Sequence, residues 1–115
     1  MSEEFNELEL WKQRADRAQA AAAHAYARLL DLAEHHDTGQ ARRVARFIAS
    51  TYNSTTFPFD LAELRAVDVA LSDDMLACLD ALRWGKADLF KLVPDGEHRV
   101  RAICTAWGII QPAER

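Results

Sequence analysis

Residues that end or bend helices are scarce in this chain. It has four glycines and three prolines in 115 residues, and aromatic residues make up 9% of the total. A many-stranded β architecture needs frequent turn residues and many aromatic and β-branched side chains, so these counts argue against it. Leucine, alanine, arginine and glutamate are abundant instead, and all four favour helices. We therefore predict an all-α protein.

The chain has only two cysteines and no long apolar run. Cys78 and Cys104 each stand among apolar residues, without a second cysteine or histidine at metal-ligand spacing. This pattern predicts buried free thiols in a reducing, cytoplasmic compartment. No apolar run approaches the roughly 18 residues that cross a bilayer. The acidic start, SEEFNELE, has the wrong charge for a signal peptide, and we expect no membrane association.

Length and charge limit the remaining choices. A chain of this size suits one domain, which can bury roughly 65% of its unfolded surface. The net charge of −4 argues against a surface wholly devoted to nucleic acid, but it allows a local basic patch. Acidic residues dominate residues 1–10 and 60–80, and arginines cluster at residues 42–46 between them.

Residues 3–36 predict one long helix, because this stretch has no glycine or proline and an apolar residue recurs every three or four positions. The seam comprises Leu8, Trp11, Ala15, Ala18, Ala22, Ala25, Leu29 and Leu32. Small residues let another helix approach closely, so we expect a crossing helix at Ala15–Ala25. That helix comes either from the same chain or from a second copy, which would make a homodimer through the first helix.

A second helix is predicted over residues 39–52. Asp37 and Gln40 have the spacing of a capping box at its start, and an apolar stripe follows. The stripe consists of Ala41, Val44, Ala45, Ile48 and Tyr52. Turn-forming residues at 53–56 then predict a loop that tucks Phe57 and Phe59 inward, and a short turn begins at Asp60.

The later part of the chain predicts three more helical segments. Val67–Arg83 reads as one amphipathic helix stopped by Gly85, although Ser72 offers an alternative start. A short helix over Asp88–Val93 and another up to Trp107 follow. For residues 86–103 a β-hairpin is the alternative. We predict a single domain over residues 1–115, with the long helix packed on a compact bundle at about 38–110.

Catalytic and metal-binding patterns are missing. His35-His36-Asp37 contains metal-ligating residue types, but adjacent helical residues point about 100° apart and cannot chelate together. The carboxylates of Asp73, Asp74, Asp80 and Asp88 are expected on a solvated face. The sequence has no glycine-rich phosphate loop, GxSxG or HExxH. We expect no enzymatic activity, cofactor or metal.

Charged side chains give the strongest surface signal. Arg42, Arg43 and Arg46 fall beside or opposite the apolar stripe. They suit phosphates or an acidic partner, or they form an internal edge of salt bridges with the acids of 60–80. Protein binding is the predicted function. The residues predicted to contact a protein partner are Arg42, Arg43, Arg46, Asp73, Asp74 and Asp80. The alternative is a nucleic-acid-associated regulator that uses the same arginines with Arg99 and Arg101.

Four strings carry a resemblance to a known family. They are DTGQARRVA at Asp37–Ala45, FDL at Phe59–Leu61, VD at Val67–Asp68 and DDML at Asp73–Leu76. Over roughly residues 28–84 the chain resembles a family of small bacterial proteins of unknown function found on plasmids, integrative elements and related mobile DNA. The resemblance implies no catalytic residue or cofactor. It implies an accessory protein that binds a host or element protein. Such accessory proteins include inhibitors of bacterial defence, for example anti-CRISPR proteins.

Overall fold

The computed structural model describes residues 3–109, with side chains from Asn6 onward. Over that span the chain forms α-helices and short 3-10 helices, without a strand. The α-helices are α1 (Glu3–His35), α2 (Gly39–Tyr52), α3 (Val69–Trp84) and α4 (Gly96–Ala106), and the 3-10 helices are Leu61–Arg65 and Leu89–Leu92. The all-α prediction and the long first helix are confirmed. Residue 110, the predicted end of the bundle, lies outside the described residues.

The longest helix is crossed by a helix of the same chain. α3 runs antiparallel to α1, because Asp74 near its start pairs with Arg28 at 2.8 Å. At the other end of α3, the Trp84 ring lies 5.5 Å from the Arg14 guanidinium carbon. The alanines of the seam, from Ala15 to Ala25, are buried. The close crossing predicted for the middle of α1 is therefore intramolecular.

Only part of the predicted seam is internal. Leu29 is fully buried and Leu32 is partly buried, whereas Leu8 and Trp11 are 57% and 45% exposed. The difference arises because α3 ends at Trp84, opposite Arg14. The seam residues that precede Arg14 in the sequence lie beyond the end of the covering helix.

Side chains from all four α-helices meet in one core. Its largest fully buried members are Tyr26, Phe47, Leu29, Leu30, Ile48, Met75, Ile103, Val44, Val100 and Cys78. The loop after α2 contributes as predicted, since Phe57 and Phe59 pack on this core and Phe59 meets Phe47 edge to face at 5.4 Å. Both cysteines are buried free thiols, and burial raises the pKa of Cys78 to about 12. A thiol with so high a pKa is inert at neutral pH.

The start of α2 differs from the sequence prediction. The capping box of Asp37 and Gln40 is wrong, because the N-cap is Thr38, whose hydroxyl accepts from the Ala41 backbone N–H at 3.1 Å. Gln40 instead bonds to Asp68, just before α3. Its carbonyl accepts from the Asp68 backbone N–H at 2.7 Å, and its amide donates to the Asp68 carboxylate at 3.2 Å. This contact joins the starts of α2 and α3.

The later helices match the helical predictions more closely than their alternatives. α3 is a single helix that begins at Val69 rather than Val67, and Ser72 lies inside it. It ends at Gly85, which has a left-handed φ of +66°. Residues 86–103 form the 3-10 helix Leu89–Leu92 and most of α4, so the hairpin alternative is wrong. Its expected turn instead leads directly into α4.

Gly96 sits where a side chain cannot fit. A Cβ built there would lie 1.7 Å from the Phe90 carbonyl oxygen and 2.7 Å from its carbon. The first turn of α4 thus packs directly on the backbone of the preceding 3-10 helix. Glycine at the start of α4 is required by this close approach.

We predict that Gly96→Ala destabilises the protein by about 3 kcal/mol or more, since neither backbone can move without disturbing the core. Chemical denaturation followed by circular dichroism measures the change. Gly39→Ala is the matched control, because a Cβ there has Arg43 Nη1 at 3.6 Å as its nearest neighbour. If the two variants are equally stable, the close approach at Gly96 is wrong.

Candidate functional site

The three arginines of α2 lie in different surroundings. Arg43 Nε is 3.0 Å from Glu63 Oε2 in the 3-10 helix Leu61–Arg65, and solvent is excluded from both atoms. The contact is an ion pair without hydrogen-bond geometry. Arg43 thus forms an internal salt bridge with an acid of residues 60–80, which is one of the two roles that the sequence allowed for the arginines of α2. Among the described side chains, from Asn6 to Ile109, Arg42 and Arg46 pair with no acidic one.

Arg42 and Arg46, one helical turn apart, form one wall of a surface cleft of about 330 Å³. The loop after α2 and the end of α4 form the other walls. The lining residues are Arg42, Arg46, Ala49, Thr56, Phe57, Pro58, Trp107, Gly108 and Ile109. This described lining contains no acidic side chain. The cleft is therefore positively charged at one wall and largely apolar elsewhere.

Trp107 is the aromatic wall of the cleft, and two contacts fix its ring. Its indole Nε1–H donates to the Ala33 carbonyl at 2.9 Å. The Arg42 guanidinium carbon lies 5.5 Å from the ring centre, within the range of a cation–π contact. Gly108, with φ +69°, then turns the chain so that the Ile109 N–H donates to the Cys104 carbonyl at 2.8 Å. This turn brings Ile109 to the cleft.

The predicted acidic residues lie on α3, not in this cleft. Asp74 accepts two hydrogen bonds from Arg28, at 2.8 and 3.1 Å, and so ties α3 to α1. Asp80 accepts from Arg83 one turn away at 2.7 Å. Asp73 is exposed. The structure therefore does not bring the six predicted partner-binding residues together.

Arg99 and Arg101, which the nucleic-acid alternative adds to the arginines of α2, are engaged with acids. Arg99 donates to both carboxylate oxygens of Glu34, at 2.6 and 2.9 Å. Arg101 donates to the Tyr52 hydroxyl at 3.1 Å, and that hydroxyl donates to Glu97 at 2.7 Å. These acids offset the positive charge that phosphates would need. The contacts instead fasten α4 to α1 and α2.

One group of possible metal ligands occurs in the described part of the chain. Ligand atoms of Asp31, Glu34 and His35 lie within 4.8 Å of one another. The sequence pattern grouped His35 with His36 and Asp37, whereas the structure places it with its neighbour Glu34 and with Asp31 one turn earlier. All three residues are exposed, and the Glu34 carboxylate is already bound by Arg99. We assign no metal to it.

A second, larger pocket of about 480 Å³ opens between α2, α3 and the 3-10 helix that follows Asp60. Most of its walls are apolar, with several hydroxyl and amide groups. It is lined by Phe47, Ser50, Thr51, Tyr52, Asn53, Ser54, Phe59, Leu61, Leu64, Leu79 and Leu82. No charged side chain belongs to this described lining, so the pocket lacks a group that would select a charged partner. The arginine cleft offers more chemical selectivity.

The Arg99–Glu34 pair predicts a pH-dependent contribution to stability. Hydrogen bonding from Arg99 lowers the pKa of Glu34. The stabilisation is therefore present above the pKa of Glu34 in the unfolded chain and is lost as the pH falls through the lower folded pKa.

We expect Arg99→Ala to lower stability by about 1 kcal/mol at neutral pH. The loss should shrink below about pH 4.5, where glutamate becomes protonated. Denaturation midpoints measured across pH test this expectation. In a Glu34→Gln background, where the titrating group is absent, the effect of Arg99→Ala should not change over the same range. A pH-independent difference in the wild-type background would contradict the assignment.

One known protein family matches this chain. Within the described span, every helix is too short or too polar to cross a bilayer. Neither the curated proteins nor the solved structures contain a match. The model of a family of unknown function (DUF7673) matches residues 23–108, which include α2, α3, α4 and the end of α1. Because the match covers most of the chain, this protein belongs to the DUF7673 family of unknown function.

Proposed function

We propose that this chain is a non-enzymatic binding protein that holds an acidic segment of a protein partner in the cleft between α2 and α4. The observation that carries the proposal is the placement of Arg42 and Arg46 beside Trp107, in a described lining without acidic side chains. Arginine and tryptophan are enriched among the residues that contribute most to protein–protein binding.

The cleft combines two kinds of contact. Each guanidinium can donate paired hydrogen bonds to a carboxylate. The apolar walls, with Phe57, Pro58 and Ile109, would bury an aliphatic or aromatic side chain next to that carboxylate. At about 330 Å³ the cleft lies at the small end of ligand pockets and suits one or two side chains of a larger partner.

The chemistry of the lining supports binding rather than catalysis. General acid–base catalysis needs a group that exchanges protons near neutral pH. The ionisable groups in the described lining are arginines, which stay protonated. Thr56 has a hydroxyl, but the lining residues include no histidine or carboxylate to activate it. The arrangement therefore favours a role without bond making or breaking.

The resemblance to proteins of mobile DNA suggests the setting in which this binding occurs. The partner would be a host or element protein in the cytoplasm, the compartment that the sequence predicts. Inhibition of a bacterial defence system, as by anti-CRISPR proteins, is a role that one such contact can serve. A nucleic-acid-associated regulator is the alternative, and it is less favoured because Arg99 and Arg101 bind Glu34 and Tyr52.

We predict that the double substitution Arg42→Glu and Arg46→Glu weakens capture of the partner by at least about tenfold. The tagged protein is purified from a host carrying the related element, with and without nuclease, and bound proteins are quantified by mass spectrometry. The purified partner is then titrated against each variant. The charge-matched control is Arg65→Glu with Lys91→Glu, because both side chains are exposed and lie outside the cleft.

The outcomes separate the candidate functions. A stoichiometric partner that survives nuclease, and that is lost only with the cleft variant, supports the proposal. Retention by the cleft variant at physiological salt would show that the cleft is not the binding surface. Loss of every wild-type partner on nuclease treatment would favour the nucleic-acid alternative. Circular dichroism of each variant checks that its helices are intact.

A further inference from the structure

The first turns of α1 extend beyond the rest of the bundle. Every residue from Asn6 to Arg14 is exposed, and Ala15 is the first buried residue of the described side chains. Leu8 and Trp11 lie on one face of this segment, in line with the buried Ala15. They continue the seam that α3 covers further along the helix.

Three basic side chains lie near the place where α3 stops. The guanidinium carbons of Arg14 and Arg83 lie 5.5 and 5.0 Å from the centre of the Trp84 ring. Lys86, just past the end of α3, pairs with Asp16. Arg83 is likewise paired with Asp80, so Arg14 is the base that borders the uncovered face of α1 without an acidic partner among the described side chains.

The opposite end of the same segment is acidic. Glu7 and Glu9 are both exposed and flank Leu8, whereas Lys12 and Arg14 follow Trp11. A helix with acids at one end and bases at the other complements a second copy of itself in the antiparallel direction. The acids of each copy would then face the bases of the other copy at both ends of the contact.

The packing of α3 also selects the antiparallel direction. A parallel second copy would have to follow the seam past Ala15, where α3 already lies. An antiparallel copy can pack on the uncovered turns alone, because the rest of its own bundle would lie beyond the opposite end of the contact. It would run in the same direction as α3 and occupy the face that α3 leaves open.

We infer that two copies of this chain form an antiparallel, two-fold symmetric dimer through residues 6–14 of α1. Leu8 packs against Trp11 of the other copy, and the flanking Glu7 faces its Arg14. Two-fold symmetry makes each of these contacts twice. The contact buries less surface area than a standard protein interface. We therefore expect a dissociation constant in the micromolar range.

Sedimentation velocity over about 5 to 500 µM protein tests the dimer. We expect the wild type to pass from monomer to dimer in this range. Glu7→Lys alone and Arg14→Glu alone should each weaken dimerisation by about tenfold or more, because like charges then face each other twice. An equimolar mixture of the two variants should dimerise again, since both contacts regain opposite charges.

Apolar variants provide a second test. Replacing both Leu8 and Trp11 by alanine should abolish the dimer and leave the helical content unchanged. Leu76→Ala is the matched control, because Leu76 is a 53% exposed leucine on α3, and it should retain the dimer. A wild type that stays monomeric at the highest concentration overturns the inference. Failure of the mixed charge variants to dimerise overturns the antiparallel register.

Discussion

The packing of α3 along the alanine stripe of α1 is the contact on which the rest of the structure depends. Ala22 and Ala25 are completely or almost completely buried, and such small side chains let two helices approach to about 8 Å. Alanine buries little apolar area, so this contact alone is weakly stabilising. The larger side chains of α1, Tyr26, Leu29 and Leu30, therefore build the core with α2 and α4. Burial also raises the pKa of Tyr26, which leaves its hydroxyl neutral and 2.8 Å from the Thr51 hydroxyl.

Arginine serves two purposes in this protein. Arg28, Arg43 and Arg99 each bind an acid on another helical segment, and these ion pairs fix how the segments lie together rather than adding much stability. Arg42 and Arg46 lie apart from these pairs and face the cleft. A net charge of −4 conceals this difference, because the acids that lower it are already bound to structural arginines or lie on other faces. The local positive charge acts only within about 8 Å at physiological salt, so it influences a partner mainly after contact.

The sequence predicts the helices well because their signals are local. The 3.6-residue period and the glycines at 85 and 108 set the helix positions and ends, and the structure agrees to within about two residues. The capping of α2 was mispredicted because Gln40 bonds to Asp68, which is distant in the sequence. The arginine cluster was recognised, but the pairing of Arg43 depends on Glu63 in a different segment. Trp107 was predicted only as the end of the last helix, and its place in the cleft depends on the tertiary fold.

The bond between Trp107 and Ala33 has a geometric consequence for the whole molecule. It fixes one wall of the cleft to the last turns of α1, whereas Leu8 and Trp11 occupy the first turns. Ala33 and Trp11 are separated by 22 residues of continuous helix, which corresponds to about 33 Å. Because an α-helix is stiff along its axis, α1 acts as a spacer of fixed length between the two surfaces. A partner bound in the cleft as proposed would leave the first turns of α1 accessible, so the proposed partner and a second copy of the chain would be held at a constant separation.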